Sequence, residues 1–166
     1  MNLLKLVQKQ QYPQLYFELQ EQQQSLINMV VDYQNSGHSA LCKTGNAQFK
    51  ITFDGFWRHK VLVKDMSDSL VALVYAETLF SDTSFIRVGD KLLRLKFRNN
   101  PSTELIIFEE ESSPLVTCRL TPAGISTVEV HEDIKLKSMK ERETVLSLAW
   151  FLFFPIAQEN SVEYAL

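Results

Sequence analysis

Three histidines, His38, His59 and His131, and two cysteines, Cys42 and Cys118, are the side chains of this 166-residue chain best suited to metal binding or nucleophilic chemistry. None has a partner at the spacing that such chemistry needs. His38 falls in a turn, His59 beside a strand start and His131 at a strand end, so each reads as a surface histidine. The cysteines form no C-x-x-C pair and no zinc pattern. A single disulfide is open to them, but free, buried thiols in a reducing compartment are the expectation. No G-x-S-x-G elbow, phosphate loop, dinucleotide fingerprint or H-E-x-x-H occurs. Glu109-Glu-Glu111 lacks the Asp/Asn/Gly loop that wraps calcium and reads as a solvated turn. The chain is therefore expected to be non-enzymatic, with no cofactor and no metal.

The remaining chemistry is cationic. Arg94, Lys96 and Arg98 alternate along one stretch, and Arg58 and Lys60 lie near another strand start. Outward cations of this kind can meet anionic lipid headgroups, each contributing about 1 kcal/mol near such a surface. An ordinary solvated strand face is the competing reading, and the net charge of −3 favours it. The same charge leaves no overall basic field to recruit nucleic acid. Phe56-Trp57, just after the Asp54-Gly55 turn, reads as a cap over one end of the fold, with a ligand- or membrane-facing tip as the alternative.

The elements that must carry these residues are mostly strands. Gln48-Phe-Lys-Ile-Thr-Phe53 alternates with period two, placing Phe49, Ile51 and Phe53 on one face and Lys50 and Thr52 on the other. Leu15, Phe17 and Leu19 share a face in the same way, whereas Gln8 to Gln11 reads as a surface lead-in. Met1 to Gln11 has neither the apolar core nor the cleavage site of a signal peptide. The chain then repeats itself every 44 residues. Ser69-Leu-Val-Ala-Leu-Val-Tyr75 matches Ser25-Leu-Ile-Asn-Met-Val-Val31, and the Gly89-Asp90 turn matches Gly45-Asn46. Leu93, Leu95 and Phe97 match Phe49, Ile51 and Phe53, so Lys50 holds the place of Arg94 one unit earlier. Leu105 and Ile107 match Val61 and Val63, and these match Phe17 and Leu19. Glu21, Asp65 and Glu109 fall in one register. The units span 25–65 and 69–109, and a partial third covers 114–137, with Ile134-Lys-Leu-Lys137 as a last short strand.

After the strands comes Val145-Leu-Ser-Leu-Ala-Trp-Phe-Leu-Phe-Phe-Pro-Ile-Ala157, the densest apolar run in the sequence. Ser138 with Glu141 fits a capping box, so a helix over about 139–158 is expected. It is apolar on every face and must be buried on every face. It is too short for a membrane span, which takes roughly 18 apolar residues or more. Eleven or twelve antiparallel strands with short connections must curl, close or split. A single domain answers both demands if the sheet closes around the helix as a barrel of about twelve strands. A β-sandwich with the helix packed at one end is the alternative. If the helix fills the bore, no interior cavity remains, and function sits on the outside.

Repeated short strands followed by a hydrophobic C-terminal helix resemble the tubby C-terminal superfamily, which includes tubby domains, phospholipid scramblases and plant LURP-one-related proteins. The resemblance covers about Leu15 to Gln158 and is one of layout. No phosphoinositide motif, scramblase calcium segment or tubby C-terminal signature matches a stretch here. The resemblance implies a twelve-stranded barrel around a helix. It also implies a cytoplasmic binding module, peripheral to a membrane and not spanning it, that takes an anionic phospholipid or a protein partner. Arg58, Lys60, Arg94, Lys96 and Arg98 are the candidate contact residues. The alternative is a structural or regulatory protein-interaction domain with no small ligand.

Overall fold

The computed structural model describes the backbone of residues 2–11, 14–32, 39–54, 60–76, 83–99, 101–110, 112–131 and 139–164, and side chains within these except at 2, 9–11, 139 and 159–164. The first six strands are β1 (Asn2–Gln11), β2 (Gln14–Glu21), β3 (Gln24–Asp32), β4 (Ser39–Thr44), β5 (Gln48–Asp54) and β6 (Lys60–Asp65). The next six are β7 (Leu70–Ala76), β8 (Thr83–Val88), β9 (Lys91–Arg98), β10 (Glu104–Glu110), β11 (Ser113–Leu120) and β12 (Ser126–Val130). One helix follows, α1 (Met139–Tyr164). Each strand pairs antiparallel with the next, and β1 pairs with β12, so the sheet closes. The barrel rather than the sandwich is the fold.

Closure explains the 44-residue period. β2, β6 and β10 lie four strands apart and carry matching inward residues, Phe17 and Leu19, Val61 and Val63, Leu105 and Ile107, all buried. The acidic position at or next to the end of each has three different uses. Glu21 pairs with Arg142 of the helix at 2.9 Å. Asp65 Oδ1 accepts the amides of Ser67 and Ser69 and closes the β6–β7 turn. Glu109 lies 3.7 Å from Lys91 Nζ.

The expected lead-in at Gln8 to Gln11 is instead part of β1, the strand that closes the barrel. Leu4 and Leu6 point inward against β2 and β12, and Lys5 and Val7 point outward. The 44-residue register fails here because β1 is out of phase by one residue, Lys5 rather than Leu4 falling 44 before Phe49. Glutamines also remove the apolar alternation beyond Leu6. The helix starts where expected, at Met139, and runs past Gln158 to Tyr164. Ser138, the turn at 35–37, His38, Phe56, Trp57, Arg58, His59, Glu111 and the strand expected at 134–137 lie outside the described residues.

α1 enters from the end of the barrel that carries the tight turns. Its first turn sits on the β8–β9 turn, where Gly89 has φ +58° and any side chain would meet Glu141 Oε1. Deeper in, Val145, Leu146, Leu148, Ala149, Phe151, Phe153 and Phe154 are wholly buried. They face every direction of the helix, as an apolar surface without a polar stripe requires. The hydroxyls of Thr144 and Ser147 are satisfied within the helix, donating to the carbonyls of Lys140 at 2.7 Å and Glu143 at 2.8 Å.

The β2–β3 turn is under strain. Gln22 has φ 52° and Gln23 has φ 66°, left-handed values that glutamine adopts at a cost and Asn-Gly adopts readily. Replacing Gln22-Gln23 by Asn-Gly is therefore expected to raise stability by about 1 kcal/mol, or roughly 2–4 °C in Tm for a chain of this size. Thermal unfolding followed by circular dichroism would check it, and an unchanged or lower Tm would refute the strain.

Candidate functional site

The period-two backbone decides which side chains reach the outer wall. On β9, Leu93 and Leu95 are buried in the bore, so Arg94, Lys96 and Arg98 point outward in steps of roughly 7 Å. Lateral pairing supplies what alternation alone does not. Arg94 stands opposite Phe85 of β8, Phe85 opposite Tyr75 of β7, and Tyr75 opposite Lys60 of β6. Lys60 and Arg94 thus end one transverse row, three strand spacings or roughly 14 Å apart, with two aromatic rings between them.

The row is a contact chain at its centre. The Tyr75 and Phe85 rings lie 5.6 Å apart between centroids, tilted by 37°. The Arg94 guanidinium carbon is 6.0 Å from the Phe85 centroid, within cation–π range. On the far side of Arg94 stands Phe108 of β10, which is buried although it faces outward. The next row places Leu62, Leu73, Arg87 and Leu92 side by side, with Leu92 49% exposed. This face of β6–β9 therefore mixes cations with half-exposed apolar and aromatic groups.

Four of the expected contact residues, Lys60, Arg94, Lys96 and Arg98, share this face; Arg58 lies outside the described residues. Lys50 does not join them. It pairs directly with Lys64, whose Nζ lies 3.6 Å from Asp68, in a separate shallow groove nearer the helix-entry end. Tyr75, Phe85 and Arg87 are the members that residue order did not reveal. Their outward direction was available from alternation with Val74, Ile86 and Val88, but their place beside Arg94 depends on register.

A carboxylate network bounds the face on the β10 side. Arg119 Nε donates to Glu104 Oε1 at 2.9 Å and its Nη1 donates to Glu129 Oε1 at 3.1 Å, tying β10, β11 and β12 together. Burial pushes the Glu104 carboxyl up. The Ser102 hydroxyl, the Arg119 guanidinium and the nearby Arg98 charge outweigh burial and hold it below its ordinary value of 4.5. Glu104, cross-strand from Arg98, thus sets one negative charge beside that end of the row.

The polarity of the wall is the reverse of a membrane-spanning barrel. Such barrels show lipid an apolar band about 25 Å tall around a polar interior. Here charged residues such as Lys43, Lys50, Arg87 and Arg94 stand exposed along the outer wall, and the interior is apolar. No described helix is long and apolar enough to cross a membrane.

At the end opposite helix entry, a half-open pocket of about 210 Å³ lies between α1, β1, β2 and the β11–β12 turn. It arises because the inward positions of β1 turn polar at Gln8 and because Ala157 presents only a methyl group. Trp150 is among its lining residues and is 2% exposed; its Nε1–H is itself buried and has no hydrogen-bond partner among the described residues. A buried donor left unsatisfied costs about 1–3 kcal/mol.

Cys42 and Cys118 are free and buried. Burial pushes the Cys42 thiol up to about 12, with the Ser147 hydroxyl opposing, and pushes Cys118 up as well. His131 Nε2 lies 3.3 Å from Thr117 Oγ1 at the β12 end. Glu109 and Glu110 are exposed. Among the described residues no group of three or more His, Cys, Asp or Glu is placed to hold a metal ion. The chain matches no protein-family model, no curated protein and no solved structure.

Proposed function

We propose that the chain is a non-enzymatic binding module that docks on an anionic phospholipid surface through the β6–β9 outer wall. The row Lys60–Tyr75–Phe85–Arg94, continued along β9 by Lys96 and Arg98, carries the proposal. Cations draw the wall to headgroups, and Tyr75, Phe85 and Leu92 suit the boundary between headgroup and acyl chain, where aromatic groups with one polar end are at home. The Arg94 guanidinium already lies 6.0 Å from the Phe85 ring centroid, so its flat face has an apolar neighbour before docking. The barrel-around-a-helix layout, which resembles the tubby C-terminal superfamily, supports the same reading. The cytoplasmic leaflet, where anionic lipids concentrate, is the setting such a face fits.

The test is co-flotation with vesicles of phosphatidylcholine alone and of phosphatidylcholine with phosphoinositide, at low and moderate salt. Binding is expected only to the anionic vesicles, weakening with salt as surface charges are screened. Arg94→Glu with Lys96→Glu should weaken it at least about tenfold. Binding that ignored lipid charge, or survived the double reversal, would sink the proposal.

A further inference from the structure

The β1–β12 seam is closed along only part of β1. Asn2, Leu3 and Leu4 pair with β12, whereas Lys5–Gln11 pair with β2 alone. No backbone hydrogen bond among the described residues meets these seven from the other side. Antiparallel pairing turns the N–H and C=O of alternate residues toward one neighbour and those of the rest away, so three or four of the seven offer both groups at an open edge. We infer that this edge takes an extended peptide of a partner protein as an added strand, with apolar side chains facing inward and acidic ones outward. The edge lies away from the β6–β9 wall and shares no residue with it.

The surroundings make room for one strand and set its chemistry. The β11–β12 turn does not cap the edge, because its own groups bond one another. Thr121 N–H donates to the Ile125 carbonyl at 2.8 Å, and Gly124 N–H to that of Thr121 at 2.9 Å. Between this turn and β1 lies the half-open pocket of about 210 Å³. Leu6 and Gln8 border it on the β1 side, Ile125 and Ser126 on the other, and Phe154 and Ala157 on the α1 side. A lining that mixes polar and apolar groups suits a peptide, which brings a polar backbone and apolar side chains together. The turn stands across the pocket, so the slot admits a lone strand and not one continuous with the sheet of a second barrel. On the outer face Lys5 is exposed, and an acidic residue beside it on the added strand completes a cross-strand ion pair. In strand addition the main-chain bonds supply affinity and the alternate side chains supply selectivity.

The probe is the peptide acetyl-Glu-Val-Glu-Val-Glu-Val-amide, titrated into the whole chain and followed on backbone amide signals. In the free chain, alternate amides of Lys5–Gln11 should exchange rapidly with deuterium while those bonded to β2 stay protected. Saturating peptide should slow the rapid set at least about tenfold. Methylating one alternate set of the peptide's amide nitrogens removes the donors that face β1 and should abolish binding. Methylating the other set should leave affinity within about threefold. Lys5→Glu should weaken this peptide about fivefold, and a glutamine-for-glutamate version less than about twofold. Slow exchange of all of Lys5–Gln11 in the free chain would overturn the inference, as would rapid exchange that peptide leaves unchanged. Equal effects of the two methylated peptides would remove backbone pairing as the cause. Protection that rises with protein concentration alone would give the edge to a second copy and overturn the inference as well. No vesicle enters the assay, so its failure and the failure of lipid docking are separate events.

Discussion

Phe151→Asp is expected to abolish folding, not to loosen attachment to a membrane. Phe151 is wholly buried, 5.5 Å from Phe53 between ring centroids, in the middle of a helix surrounded by strands. Losing a buried phenylalanine costs about 3–5 kcal/mol. An unpaired carboxylate in the same place adds several more, or forces protonation. Together these rival the 5–15 kcal/mol that stabilises a typical domain. Leu148→Asp should behave alike, since Leu148 is also wholly buried. Phe151→Leu, which keeps an apolar group, should lose only about 1–2 kcal/mol. Urea unfolding followed by circular dichroism distinguishes them. A cooperative transition at the wild-type midpoint for Phe151→Asp would mean that the helix does not sit in the bore.

Arg119→Leu should be the most damaging change on the outer wall. It strands two carboxylates whose side chains are only 11% and 14% exposed, Glu104 and Glu129. Breaking a fully buried ion pair costs about 3–5 kcal/mol. Arg119 is itself 39% exposed, and solvent screening brings the expectation down to about 2 kcal/mol. The loss should depend on pH with a definite sign. Glu104 titrates below its ordinary value in the folded chain, so its ion pair stabilises the fold above that ordinary value and ceases to do so as pH falls through the lowered one. The gap between wild type and variant should be widest near neutrality and should shrink below about pH 4. Denaturation midpoints measured between pH 3 and 7 would show it, and a gap of constant size would rule out the ion pair as its source.

How much of this was legible beforehand follows from the range of each interaction. Alternation is local, so Phe49, Ile51 and Phe53, or Leu93 and Leu95, declare their inward face without help. The 44-residue period records the turns, and from it the strand count and closure could be argued. β1 escaped because the period slips by one residue ahead of Leu15 and because Gln8, Gln10 and Gln11 hide the alternation. The outer-wall cations were visible singly. Their assembly was not, because the row Lys60–Tyr75–Phe85–Arg94 depends on three successive registers, one altered by a bulge between Val63 and Lys64. The half-open pocket was hidden for a different reason. A run of large apolar residues announces burial but not how far α1 reaches along the barrel, which sets the volume left beside Ala157.

The seam between β1 and β12 also fixes an order in time. Leu4 meets Val128, and Asn2 meets Val130. A ribosome adding 5–20 residues per second needs roughly 6–25 s to make the chain between them. Throughout that interval β1 has β2 on one side and nothing on the other, with its open edge free to recruit a neighbouring nascent chain. The helix that fills the bore is made later still. Lys5 and Gln8, both exposed, give that waiting edge charge and polarity in place of a sticky apolar face. The residues that disguise β1 as a surface lead-in are the ones that let it wait.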